Sequence, residues 1–239
     1  MKSSILTISD GNGVENTFKK WPQLLKILTI KTHNILNYSI VGASNEMIFM
    51  QISEAVKTNK INHAIIQWTI PQRIDLVADA FWREQASIDP VYHFNLISNN
   101  DKEWWVTSAS TNAHIKEYHN KYINQWHATL RSQSYMMAAA ELLKFHNIDF
   151  VFTLCYSFNF ISPQIDILNS YPWVWHESNQ GISEFRYKSQ YLKYDHGKAQ
   201  PHPLIGLEWI DQVLKPGCTF IDYDPKIYYN IEQSLLKNV

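Results

Sequence analysis

The sequence predicts an α/β fold, a mainly parallel sheet with helices on its faces. Two observations predict it. The first 70 residues read strand, helix, strand, helix, strand, the alternation that parallel strands and their helical crossovers require. The 239 residues are 45% hydrophobic and only 18% charged, enough apolar material for one large core.

Each element has a local reason. Ile5-Leu6-Thr7-Ile8 is a short apolar run stopped by Asp10-Gly11-Asn12-Gly13, a buried strand entering a tight loop. Trp21 to Leu28 is a helix with Pro22 in its first turn, where the missing N–H does no harm. Asn34 to Ser39 is a second strand. Ser44, after Gly42-Ala43, caps a helix that runs to about Thr58 with Met47, Ile48, Ile52, Ala55 and Val56 on its apolar face. His63 to Trp68 is a third strand, ended by Pro71. Asp75 to Glu84 reads as a helix, and Glu103 to Thr107 as a short strand or a loop. Helical pattern runs from about Ala113 to His146, with a break near Ser132-Ser134. Asp149 to Tyr156 is a buried strand, and Ile161 to Gly197 is irregular. Pro203 to Leu214 is a helix, Thr219 to Tyr223 a strand, and Pro225 to Leu236 a last helix. No repeat or linker divides the chain, so residues 1–239 are expected to form a single domain with an aromatic-rich loop region at about 157–200.

Composition excludes several function classes. The net charge is -1 and Lys and Arg are scattered, which argues against nucleic acid or an anionic membrane as the main partner. Cys155 and Cys218 are far apart and read as two reduced, buried thiols. No CxxC pattern or His pair at helical spacing points to a metal site. No apolar run is long enough for a signal peptide or a membrane span, so the expectation is a soluble protein made in the cytoplasm. Nine Trp and thirteen Tyr suit sugar-stacking surfaces, interfaces and ordinary cores alike. Trp104-Trp105 and Trp173-Val174-Trp175-His176 read first as packing or interface residues, the second being the better candidate to line a pocket.

Ligands bind parallel sheets at the carboxyl ends of the strands. That directs attention to Ser9–Gly13, Val41–Asn45 and Thr69–Arg73, together with the late segment Gln200-Pro201-His202-Pro203-Leu204-Ile205-Gly206. His-Pro followed by Gly and an apolar helix resembles the C-terminal block of SGNH (GDSL-type) hydrolases. Trp21-Pro22-Gln23-Leu24-Leu25 and Val41-Gly42-Ala43-Ser44-Asn45 resemble earlier blocks of that family. Ala64-Ile65-Ile66-Gln67-Trp68-Thr69, with Arg73 beyond it, is similar to the third-strand segment of phage-encoded members. The resemblance covers most of the chain in order. It implies a three-layer α/β/α sandwich with a mainly parallel, flavodoxin-like sheet of the SGNH-hydrolase type.

It also implies a serine esterase or deacetylase acting on an acylated carbohydrate or small ester without a cofactor. His202 would be the base, Ser9 a displaced nucleophile and Asp195 the group that orients the base. Asp10, Gly11, Gly42, Asn45, Thr69 and Arg73 would surround the substrate and its oxyanion. Three departures stand against catalysis. The family's Gly-Asp-Ser reads Ser9-Asp10-Gly11 here, leaving Gly11 at the nucleophile position. The third block lacks the family's asparagine, with Thr69 and Gln72 as the available donors. Gln200 and Ala199 occupy the positions of the expected aspartate, and Asp195 lies seven residues before His202.

The alternative is therefore a non-catalytic protein that keeps the fold. In the phage setting it would be a virion or tail-associated structural or glycan-binding protein, with other virion proteins as partners and homo-oligomers allowed. Several of these residues have plainer roles open to them: Ser44 as a helix cap, Gly42 as a turn glycine, Asp10 bonding within its own turn, Arg73 in a surface ion pair.

Overall fold

The computed structural model describes residues 2–9, 21–39, 43–72, 74–77, 93–95, 103–107, 117, 121–122, 124–157, 159–175, 181–195 and 202–237. Of the chemistry-bearing positions named above, Asp10, Gly11, Gly42 and Arg73 lie outside the described residues.

The first five elements follow the predicted order: β1 (Ser3–Ile8), α1 (Trp21–Leu28), β2 (His33–Asn37), α2 (Asn45–Thr58) and β3 (His63–Trp68). Ser44 caps α2 by accepting the Met47 N–H at 3.2 Å. Met47, Ile48, Ile52 and Ala55 are buried along α2, and Val56 packs half-buried at the rim.

Three antiparallel strands follow: β4 (Ile74–Val77), β5 (His93–Asn95) and β6 (Glu103–Thr107), in the order β4-β6-β5. Here one expectation fails. Ile74–Val77 is a strand, so the helix expected from Asp75 cannot begin there. Pairing along β6, Leu76 opposite Trp105 and Val77 opposite Trp104, outweighs the local helical pattern. Residues 78–84 lie outside the described set.

Helix α3 (Gln125–Phe145) runs unbroken through Ser132-Ser134. Ser134 Oγ bonds back to the Leu130 carbonyl at 2.9 Å, and Ser132 and Gln133 are buried. The Ser134 and Gln133 side chains find partners within or beside the helix, Gln133 with Ile161 and Gln164, so they do not interrupt it. Asn147, with φ 52°, turns the chain out of the helix into β7 (Asp149–Leu154).

Residues 161–197 are irregular where described, with short helical turns at Ile165–Asn169 and Ile182–Phe185. Helix α4 (Pro203–Trp209) continues into a π-helical turn at Ile210–Leu214, so the predicted span is helical but not uniform. Thr219–Tyr223 is a turn and extended loop, not a strand, and α5 (Pro225–Leu236) closes the described chain.

The main sheet is parallel throughout, with order β2-β1-β3-β7. Residues 172–174 extend it by one bridge beside β7. Phe152 N–H donates to the Pro172 carbonyl at 2.8 Å and Val174 N–H to the Phe152 carbonyl at 2.7 Å. The chain is an α/β protein with helices on both faces of this sheet. Leu6, Ile8, Ala64, Ile66, Phe150 and Phe152 face α2 and α3. Ile5, Ile65 and Val151 face α1 and α4. Helices α1 and α2 lie on opposite faces because the chain steps outward from β1 to β2 and then back across β1 to β3, each step by a right-handed crossover.

Candidate functional site at the carboxyl edge of the sheet

The carboxyl ends of β1 and β3 are neighbours, and the chain departs from them to opposite faces. That is the switch point at which doubly wound sheets bind ligands. Ser9 and Thr69 are the residues just past these two strands, and both are buried.

Ser9 is tied to the loop after β2. Its N–H donates to Ser39 Oγ at 3.1 Å, and the two hydroxyls share a hydrogen bond at 3.0 Å. Ser39 is in turn held by its own N–H donating to Asn37 Oδ1 at 3.1 Å.

Asn45 and Thr69 are brought together. Asn45 Nδ2 donates to the Thr69 carbonyl at 3.1 Å, and the Thr69 N–H donates to Asn45 Oδ1 at 2.9 Å. The Asn45 amide thus acts like a neighbouring peptide group, fastening the first residue of α2 to the end of β3. This answers the backbone of a buried turn and spends one amide N–H and the carbonyl oxygen on structure.

His202 opens α4 as its N-cap. Its Nδ1 accepts the Leu204 N–H at 3.3 Å, and its ring lies 6.1 Å from that of Tyr194. A backbone N–H can only donate, so Nδ1 is the acceptor and the proton of the neutral ring sits on Nε2. A triad base needs the opposite tautomer: Nδ1–H donating to a carboxylate, Nε2 open to take a proton.

Asp195 Oδ2 is bound by Arg186 Nε, and the two side chains are 2% and 14% exposed. The ion pair neutralises a carboxylate that would be costly to bury alone.

The more informative feature is one that residue motifs do not display. On the α1/α4 face, the inward positions run Ile5-Thr7-Ser9, Ile65-Gln67-Thr69 and Val151-Thr153-Cys155. Each strand begins apolar and places a polar residue at mid-strand, although Thr7, Gln67 and Thr153 are all buried. Gln67 and Thr153 are register partners on adjacent strands. Gln67 Oε1 accepts Trp21 Nε1 at 3.4 Å, which fixes the orientation of the amide. Gln67 Nε2, Thr153 Oγ1 and Trp209 Nε1 are buried and have no hydrogen-bond partner. An unanswered buried polar atom costs about 1–3 kcal/mol. The sequence signal that finds this cluster is a polar residue at the inward alternate position of three buried strands, β1, β3 and β7, that are neighbours in the sheet.

Behind it, Glu208 is buried on α4, bound by Ser189 Oγ and by Gln212 Nε2 at 3.1 Å. Tyr191 bonds Glu232, and Tyr223 bonds Asp211 at 2.7 Å. Burial first, then these carboxylates, pushes both phenols well above their usual range, so they remain neutral donors. Neither cysteine is in a disulfide and both are buried, and burial pushes the Cys218 thiol up to about 12. Among the described residues, no group of three or more His, Cys, Asp or Glu side chains is placed to hold a metal ion. No described helix is long and apolar enough to cross a membrane.

No model of a known protein family matches this chain, and a search of curated proteins gives no match.

Proposed function

We propose that this protein is a non-catalytic binding module on the SGNH-hydrolase type of α/β fold, taking its ligand at the carboxyl edge of the sheet. The strand order β2-β1-β3-β7, with residues 172–174 beyond β7, is the order of flavodoxin-like sheets and supports the fold type. A helix opened by His202 agrees with the block that motivated the resemblance.

The observation that carries the non-catalytic reading is the Leu204 N–H to His202 Nδ1 bond. It places the imidazole proton on Nε2, where a base would need a lone pair. The engagement of Asp195 by Arg186 and of Ser9 by Ser39 agrees with it. A glycan or other acylated ligand, or a fellow virion protein in a phage setting, is the partner class that the resemblance suggests.

The test is hydrolysis of 4-nitrophenyl acetate by the wild type and by His202→Ala, with fluorophosphonate labelling alongside. Equal rates and no adduct on Ser9 are expected. A working triad would place the wild type about 10³-fold or more above the variant, and that result would restore the esterase reading.

A further inference from the structure

We infer that Gln67, Thr153 and Trp209 form a receptor for one uncharged carbonyl group, such as that of an amide or ester, beneath the carboxyl ends of β3 and β7. The inference rests on the binding reading above and names the chemical group bound.

Three observations carry it. Gln67 and Thr153 stand side by side on adjacent strands and face α1 and α4, yet they do not bond one another. Trp209 belongs to the same layer. Gly206, one turn earlier on α4, lies against α1, where an added Cβ would stand 3.5 Å from Leu24 Cδ1 and 3.8 Å from Trp21 Cβ. Trp209 is on the same side of the helix and is fully buried against Phe185. Trp21 in turn donates to Gln67, so the indole of α1 orients the amide whose Nε2 is left to donate.

The chemistry of the three groups selects the ligand. Gln67 Nε2 and Trp209 Nε1 are donors only, and the Thr153 hydroxyl can donate or accept. Such a set calls for an acceptor oxygen. The Arg186 guanidinium is engaged by Asp195, and none of the three unanswered groups carries a charge. A carboxylate or phosphate would enter this layer without a counter-charge, which disfavours both. A neutral carbonyl oxygen accepts from two or three donors at once, and its apolar substituent matches the Trp21, Phe185 and Cys155 surroundings.

The experiment follows the Trp209 indole N–H in ¹⁵N-labelled full-length protein, assigned by its loss in Trp209→Phe. The probes are acetamide, methyl acetate and sodium acetate. Saturable shifts with the first two and none with acetate are expected. Thr153→Val should weaken the response several-fold and Gln67→Leu should remove it; if Gln67→Leu does not fold, Thr153→Val decides. A silent indole with every probe would mean an ordered water only and would overturn the inference. So would equal shifts with acetate, or a response unchanged in Thr153→Val. The two readings fail separately. Ester turnover with a responsive indole removes the non-catalytic reading and leaves the carbonyl site, whereas no turnover with a silent indole does the reverse.

Discussion

The two faces of the central sheet are built from the same strands and differ in kind. The face toward α2 and α3 presents Leu6, Ile8, Ala64, Ile66, Trp68, Phe150, Phe152 and Leu154, hydrophobic side chains from end to end, with the Trp68 indole N–H buried and unanswered among them. The face toward α1 and α4 begins with Ile5, Ile65 and Val151 and changes at mid-strand to Thr7, Gln67 and Thr153. Strand alternation makes this division possible, because each residue serves one face only. One face is therefore free to optimise packing while the other carries polar groups toward the carboxyl edge, where doubly wound sheets in general bind ligands. Aromatic contacts reinforce the first: Phe152 meets Trp68, Phe150, Tyr171 and Trp173 at centroid distances of 4.9–6.0 Å.

The difference is breakable by mutation. Phe152→Ala, at the centre of the apolar face, should cost about 3–5 kcal/mol in urea denaturation, since a packed aromatic site cannot collapse around the void. Asp195→Ala comes next, at about 3 kcal/mol, because it removes one partner of a nearly buried ion pair with Arg186. Ser44→Ala should cost about 1 kcal/mol through the lost cap of α2. Thr153→Val should fall within about 1 kcal/mol of the wild type or exceed it, because it removes an unanswered hydroxyl and keeps the shape. A large loss for Thr153→Val would mean that the two faces are alike after all.

The smallest effect belongs to the amino edge of the polar face. His63 stacks on Phe220 at 4.5 Å, and its Nδ1 lies 3.6 Å from Asp149 Oδ2, with the His33 ring 6.3 Å away. Burial first, then their mutual repulsion for His33, holds both imidazoles below 6.5. Asp149 opposes the shift at His63 and Asp222 opposes it at His33. A folded-state value below the unfolded one means that the unfolded chain takes up protons first. Stability from these histidines should be fully present above pH 6.5 and be lost as pH falls from there through the lower folded values. Denaturation midpoints between pH 8 and pH 5 measure this, and His63→Phe should flatten the slope.

Much of the fold was legible in sequence. The bounds of α1, α2, β3 and α5 match the predicted ones, because Pro at a first turn, a capping Ser and short apolar runs are local signals. Ile74–Val77 was not legible as a strand, since only its pairing with β6 makes it one. The π turn at Ile210–Leu214 follows a helical sequence pattern that does not distinguish it from ordinary helix.

The candidate site was legible in a different sense. Motif reading directs attention to the carboxyl edge of the sheet and to Ser9, Asn45, Thr69, Asp195 and His202. It did not identify their partners. Asn45 embraces the Thr69 backbone, Asp195 holds Arg186, and His202 Nδ1 caps its own helix. Gln67, Thr153 and Trp209 drew no attention as site residues because each sits inside a regular strand or helix.

By itself the sequence determined the alternation of strands and helices, the placement of α2 by its cap, and which residues each strand offers to either side. Those are local or period-two properties of the chain. The tertiary structure decided which polar side chains answer one another across 24 or more positions in sequence, as Asn45 and Thr69 do, and which are left unanswered beneath the strand ends. Hydrogen bonding is short-ranged and directional, so it depends on distances that only the assembled sheet and its two helical layers set.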